Sequence, residues 1–215
     1  MRISHKHKFI FLATPRTAST TVRKVLDKYS DIKSVHKTLI TKDNPFYHHI
    51  SAKELKIIFN QRNWDWDAYE KFCFVRNPYD RVVSLFHHHI KSRRDLKINS
   101  IKEFFLRIKY SATPEPTFKN FVKNLDPEKR LPTSIQAFAC DDSGNFLINN
   151  ILKYENLGSD LANFLKKVDI NIHQDEIPHL NMSINRDKFI TYYDDSLKEI
   201  VLKKYKFEFD NFKYF

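Results

Sequence analysis

Two stretches of the chain gather residue types suited to holding an anion. The first, TPRTASTT at residues 14 to 21, sets Arg16 beside the hydroxyls of Thr17, Ser19, Thr20 and Thr21, with the slim Ala18 among them. The second, RNPYDRVVS at residues 76 to 84, sets Arg76 ahead of Ser84. Hydroxyl donors and a permanent cation at a helix start make a phosphate cradle, because the first-turn N–H groups lack intrahelical partners and carry partial positive charge. Ser84 follows Pro78 by six residues, about 9 Å along a helix, a gap that an arginine side chain largely spans. Arg76 and Ser84 are therefore expected to share one phosphate, the guanidinium on two oxygens and the hydroxyl on a third. On a helical wheel Ser84 falls on the polar face with Asp80, His87, His88 and Lys91, away from Val82, Val83 and Phe86.

Both stretches need a strand behind them and a helix ahead. KFIFLA (8 to 13) is a short apolar run closed by Thr14-Pro15, and Val22, Val25, Leu26 and Tyr29 then recur at helical spacing. FCFV (72 to 75) repeats the pattern, with Asn77 as N-cap, Pro78 at the first helical position and an apolar stripe of Tyr79, Val82, Val83, Phe86 and Ile90. Ser51 with Glu54, and Ser100 with Glu103, read as capping boxes. Residues 110 to 132 hold four of the eight prolines and read as a loop-rich excursion with one short helix. A turn at Asp142-Ser143-Gly144 precedes a strand ending near Tyr154, a helix over 157 to 168, a last helix over 196 to 205 and an aromatic tail. Strands alternating with helices imply an α/β fold, a P-loop-like three-layer arrangement with a central, mostly parallel sheet flanked by helices. Ligands bind such sheets beyond the carboxyl ends of the strands, where both loops lie.

Length and composition narrow the function. The chain has 215 residues, suited to a single domain over 1 to 215, and its 41% hydrophobic content with 19 Phe and 10 Tyr excludes disorder as the main state. No apolar run is long enough to span a bilayer, and no small-residue cleavage site follows the start, so a soluble, uncleaved protein is expected. Cys73 and Cys140 cannot build a disulfide framework and suit a reducing cytoplasm. The net charge of +11 favours polyanionic ligands. With only Gly144 and Gly158, the chain cannot form the Gly-rich phosphate loops of dinucleotide or Walker type.

Taken jointly, the loops resemble the sulfotransferases that use 3′-phosphoadenosine 5′-phosphosulfate (PAPS). The likeness is to Golgi carbohydrate sulfotransferases, the heparan sulfate 2-O-sulfotransferase type in particular, and to their soluble bacterial relatives. PRTASTT looks like the family's 5′-phosphosulfate loop and FVRNPYDRVVSLF like its 3′-phosphate motif. It continues through HHISAKEL (48 to 55), ILKYENLGSDL (151 to 161) and the stretch from Ile177 to Phe215, in the family's order. The resemblance implies that Thr17, Ala18, Ser19, Thr20 and Thr21 hold the 5′-phosphosulfate, that Arg76 and Ser84 grip the 3′-phosphate, and that Tyr154 lies near the adenine. Arg16 stands where many members have Lys. A guanidinium stabilises charge on the bridging oxygen but does not give up a proton, so Arg16 is assigned an electrostatic role.

Sulfuryl transfer to an alcohol needs fixed donors for the leaving phosphate and a positioned base for the hydroxyl. The resemblance points to His49 as the base, since related 2-O-sulfotransferases carry a catalytic histidine in an HxHVS-like stretch that HHIS matches. His48 and then His36 are the alternatives. The run His87-His88-His89 does not form a metal site, because successive helical residues point about 100° apart. The basic stretch 91 to 97 is a solvated helix end or a guide for an anionic glycan. The expected partners are the nucleotide and a glycan or other hydroxyl-bearing acceptor, in a monomer or homodimer. A P-loop kinase or NTPase would need a G-x-x-x-x-G-K-S/T loop and a metal-binding Asp at a strand end, which are missing here. A basic nucleic-acid binder would need an RNP1-like strand, zinc-finger spacing or a basic coiled-coil region, and none occurs.

Overall fold

The computed structural model describes residues 1–95, 101–112, 114–128, 133–178 and 188–214. Five strands form one sheet: β1 (Arg2–Ser4), β2 (Phe9–Phe11), β3 (Ile32–Lys33), β4 (Glu70–Val75) and β5 (Asn150–Lys153), in the order β3-β1-β2-β4-β5. β1 is antiparallel to both neighbours, whereas β2, β4 and β5 pair in parallel, so four strands share one direction and β1 is reversed. The register sets Phe11 opposite Phe72 and Val75 opposite Lys153. The carboxyl ends of β2, β4 and β5 thus open onto a common edge.

The alternation of side chains along β2 and β4 builds the layers, since successive residues of a strand face opposite sides. Ile10, Leu12, Cys73 and Val75 face one side. They pack there with Ala52, Leu55 and Phe59 of α2 (Ala52–Gln61), and with Ile135, Phe138 and Ala139 of α6 (Ile135–Ala139). Phe9, Phe11, Ala13, Phe72 and Phe74 face the other. That side holds Val22 and Leu26 of α1 (Ser19–Leu26), and Leu157, Leu161, Phe164 and Leu165 of α7 (Leu157–Lys167). A third cluster joins α3 (Pro78–Arg94), α5 (Phe118–Asn124) and α8 (Asp195–Lys204) through Tyr79, Val82, Val83, Val122, Leu197 and Val201. Helix α4 (Ile101–Ala112) completes the excursion after α3.

The local signals behave as their chemistry dictates. Ser51 and Glu54 close a reciprocal capping box on α2, and Asn77 accepts from the Tyr79 N–H to start α3 with Pro78 at its head. The box expected at Ser100 lies outside the described residues, as do 96 and 97 of the basic stretch and 179 to 187 of the closing stretch. Two expectations fail. The aromatic tail folds as α9 (Lys206–Phe212), because Phe207 and Phe212 pack on the α2 side while Phe209 packs on the α3–α8 cluster. Ser84 is 2% exposed rather than on a solvent face, since every residue of α3 from Pro78 to Ser84 is buried.

Candidate functional site

The first loop is built by its own hydroxyls. The Thr14 hydroxyl donates to the Phe74 carbonyl at 2.5 Å, tying the end of β2 to β4, and lies 2.7 Å from Thr17 Oγ1. The Thr17 O–H also reaches the Thr14 carbonyl at 3.0 Å, so this buried hydroxyl shapes the loop instead of facing outward. Arg16 and Ala18 both adopt left-handed backbone, at φ 63° and 57°, a conformation that costs non-glycine residues energy. Both lie at the turn into α1, where Ala18 is the N-cap and supplies no side-chain bond. At the helix start Thr20 is exposed, Ser19 half-buried and Thr21 buried.

Three bonds weld the second loop to the first. Arg76 Nη1 donates to the Arg16 carbonyl at 3.0 Å, Arg16 Nε donates to Ser84 Oγ at 3.0 Å, and Arg81 Nε donates to the Pro15 carbonyl at 3.2 Å. Arg76, Ser84 and the first loop therefore meet, at the strand ends to which parallel strands send their following loops. Arg76 is itself held: its Nε and Nη2 lie 2.7 Å from Asp80 Oδ2, and its guanidinium sits 4.1 Å from the Tyr154 ring centroid. Tyr154 follows β5, so residues at the carboxyl ends of β2, β4 and β5 converge. Beside it, Glu155 accepts from the Asn77 N–H at 2.7 Å and from the Tyr214 hydroxyl at 3.0 Å.

His49 enters from the segment before α2. Its Nδ1 lies 2.6 Å from the Ala13 carbonyl, and a carbonyl only accepts, so the proton is on Nδ1 and Nε2 keeps its lone pair. Burial holds its pKa down at about 4 despite that carbonyl, with the Arg23 and Arg81 guanidiniums adding to the depression. His48 points to Ser34 Oγ at 2.9 Å, and burial followed by Arg23 also lowers it to about 4. The exposed His36 caps the turn at Lys37–Leu39 by accepting from the Thr38 N–H. Of the three, the His49 ring alone is bonded to the segment that leads from β2 into the first loop.

Sequence reasoning missed Asp80, Arg81 and Glu208. Asp80, four residues after Arg76 on a new helix, was visible as an ion-pair spacing. Arg81 and Glu208 are both 1% exposed and pair across 4.0 Å, with Glu208 Oε1 accepting from the Ile135 N–H at 2.6 Å. They anchor the Pro15 carbonyl to α9, a contact spanning 127 positions that local pattern cannot show. A depression of about 480 Å³ lined by Ser159, Lys166 and His173 lies elsewhere, between α7 and residues 171 to 176, and no residue of either loop lines it.

Comparison with known proteins bears on the family and the fold. The profile of the sulfotransferase family matches residues 1–215. No curated protein sequence matches significantly. Among solved structures, the mouse sulfotransferase SULT7A1, crystallised with PAP, superposes with a TM-score of 0.54 at 12% identity, over 97% of this chain and 86% of that one. At that identity the likeness speaks to the fold.

Proposed function

The chain belongs to the sulfotransferase family, and from that premise we propose that residues 1 to 215 act as one domain moving a sulfuryl group from PAPS to a carbohydrate hydroxyl. The observation that carries this reading is the double role of Arg16, whose carbonyl accepts from Arg76 Nη1 and whose Nε donates to Ser84 Oγ. One residue thus joins the two places where a nucleotide with phosphates at both ends must be held. The donor set fits: an uncapped helix start, two left-handed residues of the kind that form anion-binding nests, exposed or half-exposed hydroxyls, and clustered guanidiniums.

When bound, PAPS supplies the sulfuryl group and a phosphate leaving group. The start of α1, with Ser19 and Thr20, receives the 5′ end, and the Arg16 guanidinium meets the negative charge that grows on the leaving oxygen. Arg76, through the second N–H of Nη1 and of Nη2 beyond those given to the Arg16 carbonyl and Asp80, and Ser84, through the O–H it keeps while accepting from Arg16, would take the 3′-phosphate, and the Tyr154 ring, already against Arg76, would border the base. His49 accepts the acceptor hydroxyl's proton at Nε2, with Nδ1 fixed on Ala13 so that the ring cannot turn away. Burial keeps the imidazole neutral and ready in the free protein.

A glycan acceptor is favoured by the resemblance to carbohydrate sulfotransferases and by the +11 charge. A cytoplasmic setting is favoured by two free, buried cysteines. No helix among the described residues is long and apolar enough to cross a membrane. Incubation with sulfur-labelled PAPS and a panel of glycans, lipids and small alcohols tests the reading. Label should pass to a glycan and fail to do so with His49→Ala; transfer only to lipids or small alcohols would overturn the acceptor class.

A further inference from the structure

We propose that α4, with the end of α3, docks this protein on an anionic bilayer surface, independently of the reaction proposed above. The helix has two unlike faces. Leu106 and Tyr110 lie half-buried on one side, with the Arg93 guanidinium 4.8 Å from the Tyr110 ring centroid and its Nη2 donating to the Tyr110 carbonyl at 3.2 Å. Phe104, Phe105 and Ile108 lie on the other, Ile108 falling four and three residues after the two phenylalanines, and they remain 48%, 63% and 49% exposed. The Phe104 and Phe105 rings meet edge to face at 5.9 Å. Among the described residues, none of the three joins a core cluster. Single apolar residues scattered over a surface are ordinary, whereas an apolar cluster with a charged border marks an interaction site.

The border is basic. Residues 91 to 110 hold seven Lys and Arg against two Asp and Glu, so 20 of the 215 residues carry five of the eleven net charges. Of these, Lys91, Arg94 and Arg107 are exposed. Arg94 forks onto Glu115 at 2.7 and 2.8 Å, and Arg93 Nη1 donates to the Pro114 carbonyl at 3.4 Å, which holds the basic end of α3 against the segment that follows α4. Charge decides the occupant. A second copy would set this basic border against its own image and be repelled, whereas anionic headgroups attract it and let the phenylalanines sink to the edge of the acyl chains. Arg94 stands ten residues beyond Ser84 on α3, about 15 Å along the helix, so docking engages the end away from the donor loops.

The test floats the full chain with vesicles of phosphatidylcholine alone and of phosphatidylcholine with about 30% phosphatidylserine. The anionic vesicles should bind at least ~10-fold more tightly, and raising the salt from about 0.1 M to about 0.5 M should weaken that binding at least ~10-fold. Combining Phe104→Ser, Phe105→Ser and Ile108→Ser should cost at least ~10-fold in vesicle affinity and leave the affinity for adenosine 3′,5′-bisphosphate (PAP) at the wild-type value. Lys91→Gln with Arg94→Gln should cost more than Lys166→Gln with Lys167→Gln, which removes the same charge from α7. The emission of Phe105→Trp should shift to the blue on the anionic vesicles. Equal binding to both vesicles, binding that survives the triple serine variant, equal losses in the two charge variants, or an unshifted emission overturns the proposal. A dimer in ultracentrifugation that the triple variant dissociates also overturns it, by giving the face to a second copy. Binding to dextran sulfate without binding to vesicles overturns it too, by giving the charges to a glycan.

Discussion

Replacing His49 by Asn removes a titrating group bonded to the Ala13 carbonyl, just beyond β2, and leaves a polar side chain of similar reach. In the unfolded chain the imidazole titrates near 6.5, and in the folded protein burial brings it to about 4. At about 1.4 kcal/mol per pH unit, that gap amounts to about 3 kcal/mol. The sign follows from the direction. A histidine whose folded pKa lies below its unfolded value contributes fully above about pH 6.5, and the contribution is lost as pH falls toward about 4. Urea unfolding of both proteins at about pH 7.5 and about pH 4.5 isolates the group, because the other titrating residues are common to the two. The wild type should lose about 2 to 3 kcal/mol more than His49→Asn over that interval. Turnover of the variant should also fall ~100-fold or more, with PAP affinity changed less than ~2-fold. Parallel stability curves would refute the buried, neutral imidazole, and retained turnover would move the base to His48 or His36.

Other perturbations probe the welded loops. Arg76→Ala should weaken PAP binding by at least ~2 kcal/mol in calorimetry, since a phosphate loses a charged partner and Asp80 is left uncompensated. Tyr154→Ala should cost about 1 kcal/mol of PAP affinity by removing the ring against Arg76, with little change in turnover at saturation. Glu208→Ala should destabilise the fold by about 3 kcal/mol or more in urea unfolding by leaving Arg81 buried beside no counter-charge, and pairing Glu208→Leu with Arg81→Met should recover much of that loss.

The parts legible in the sequence are those set by neighbours in the chain. The β2–α1 and β4–α3 units, the Ser51–Glu54 box and the Asn77–Pro78 helix start follow from apolar spacing and cap chemistry within a few residues. The meeting of the loops was inferable from fold class, because parallel strands send their following loops to one edge. What escaped depends on distant surroundings. Ser84 looks solvent-facing on a helical wheel, yet Arg16, 68 positions away, covers it. The spacing leaves the Arg76 fork open for a phosphate, but Asp80 and the Arg16 carbonyl already engage all three of its nitrogens, so that only the second N–H of Nη1 and of Nη2 lies beyond those bonds. Thr17 looked like one more phosphate hydroxyl, and its burial against Thr14 shows that it shapes the turn. Helix α9 was hidden because its aromatics pack on two different clusters, which blurs the single stripe that marks an ordinary surface helix.

Calorimetric titration of the intact chain with PAP in the presence of EDTA is the most direct check that the two loops form one nucleotide site. The account predicts a single saturable event, one nucleotide per chain, with a dissociation constant in the micromolar range or tighter, about −8 kcal/mol or better. Absence of saturable heat, or two independent binding events per chain, would contradict it.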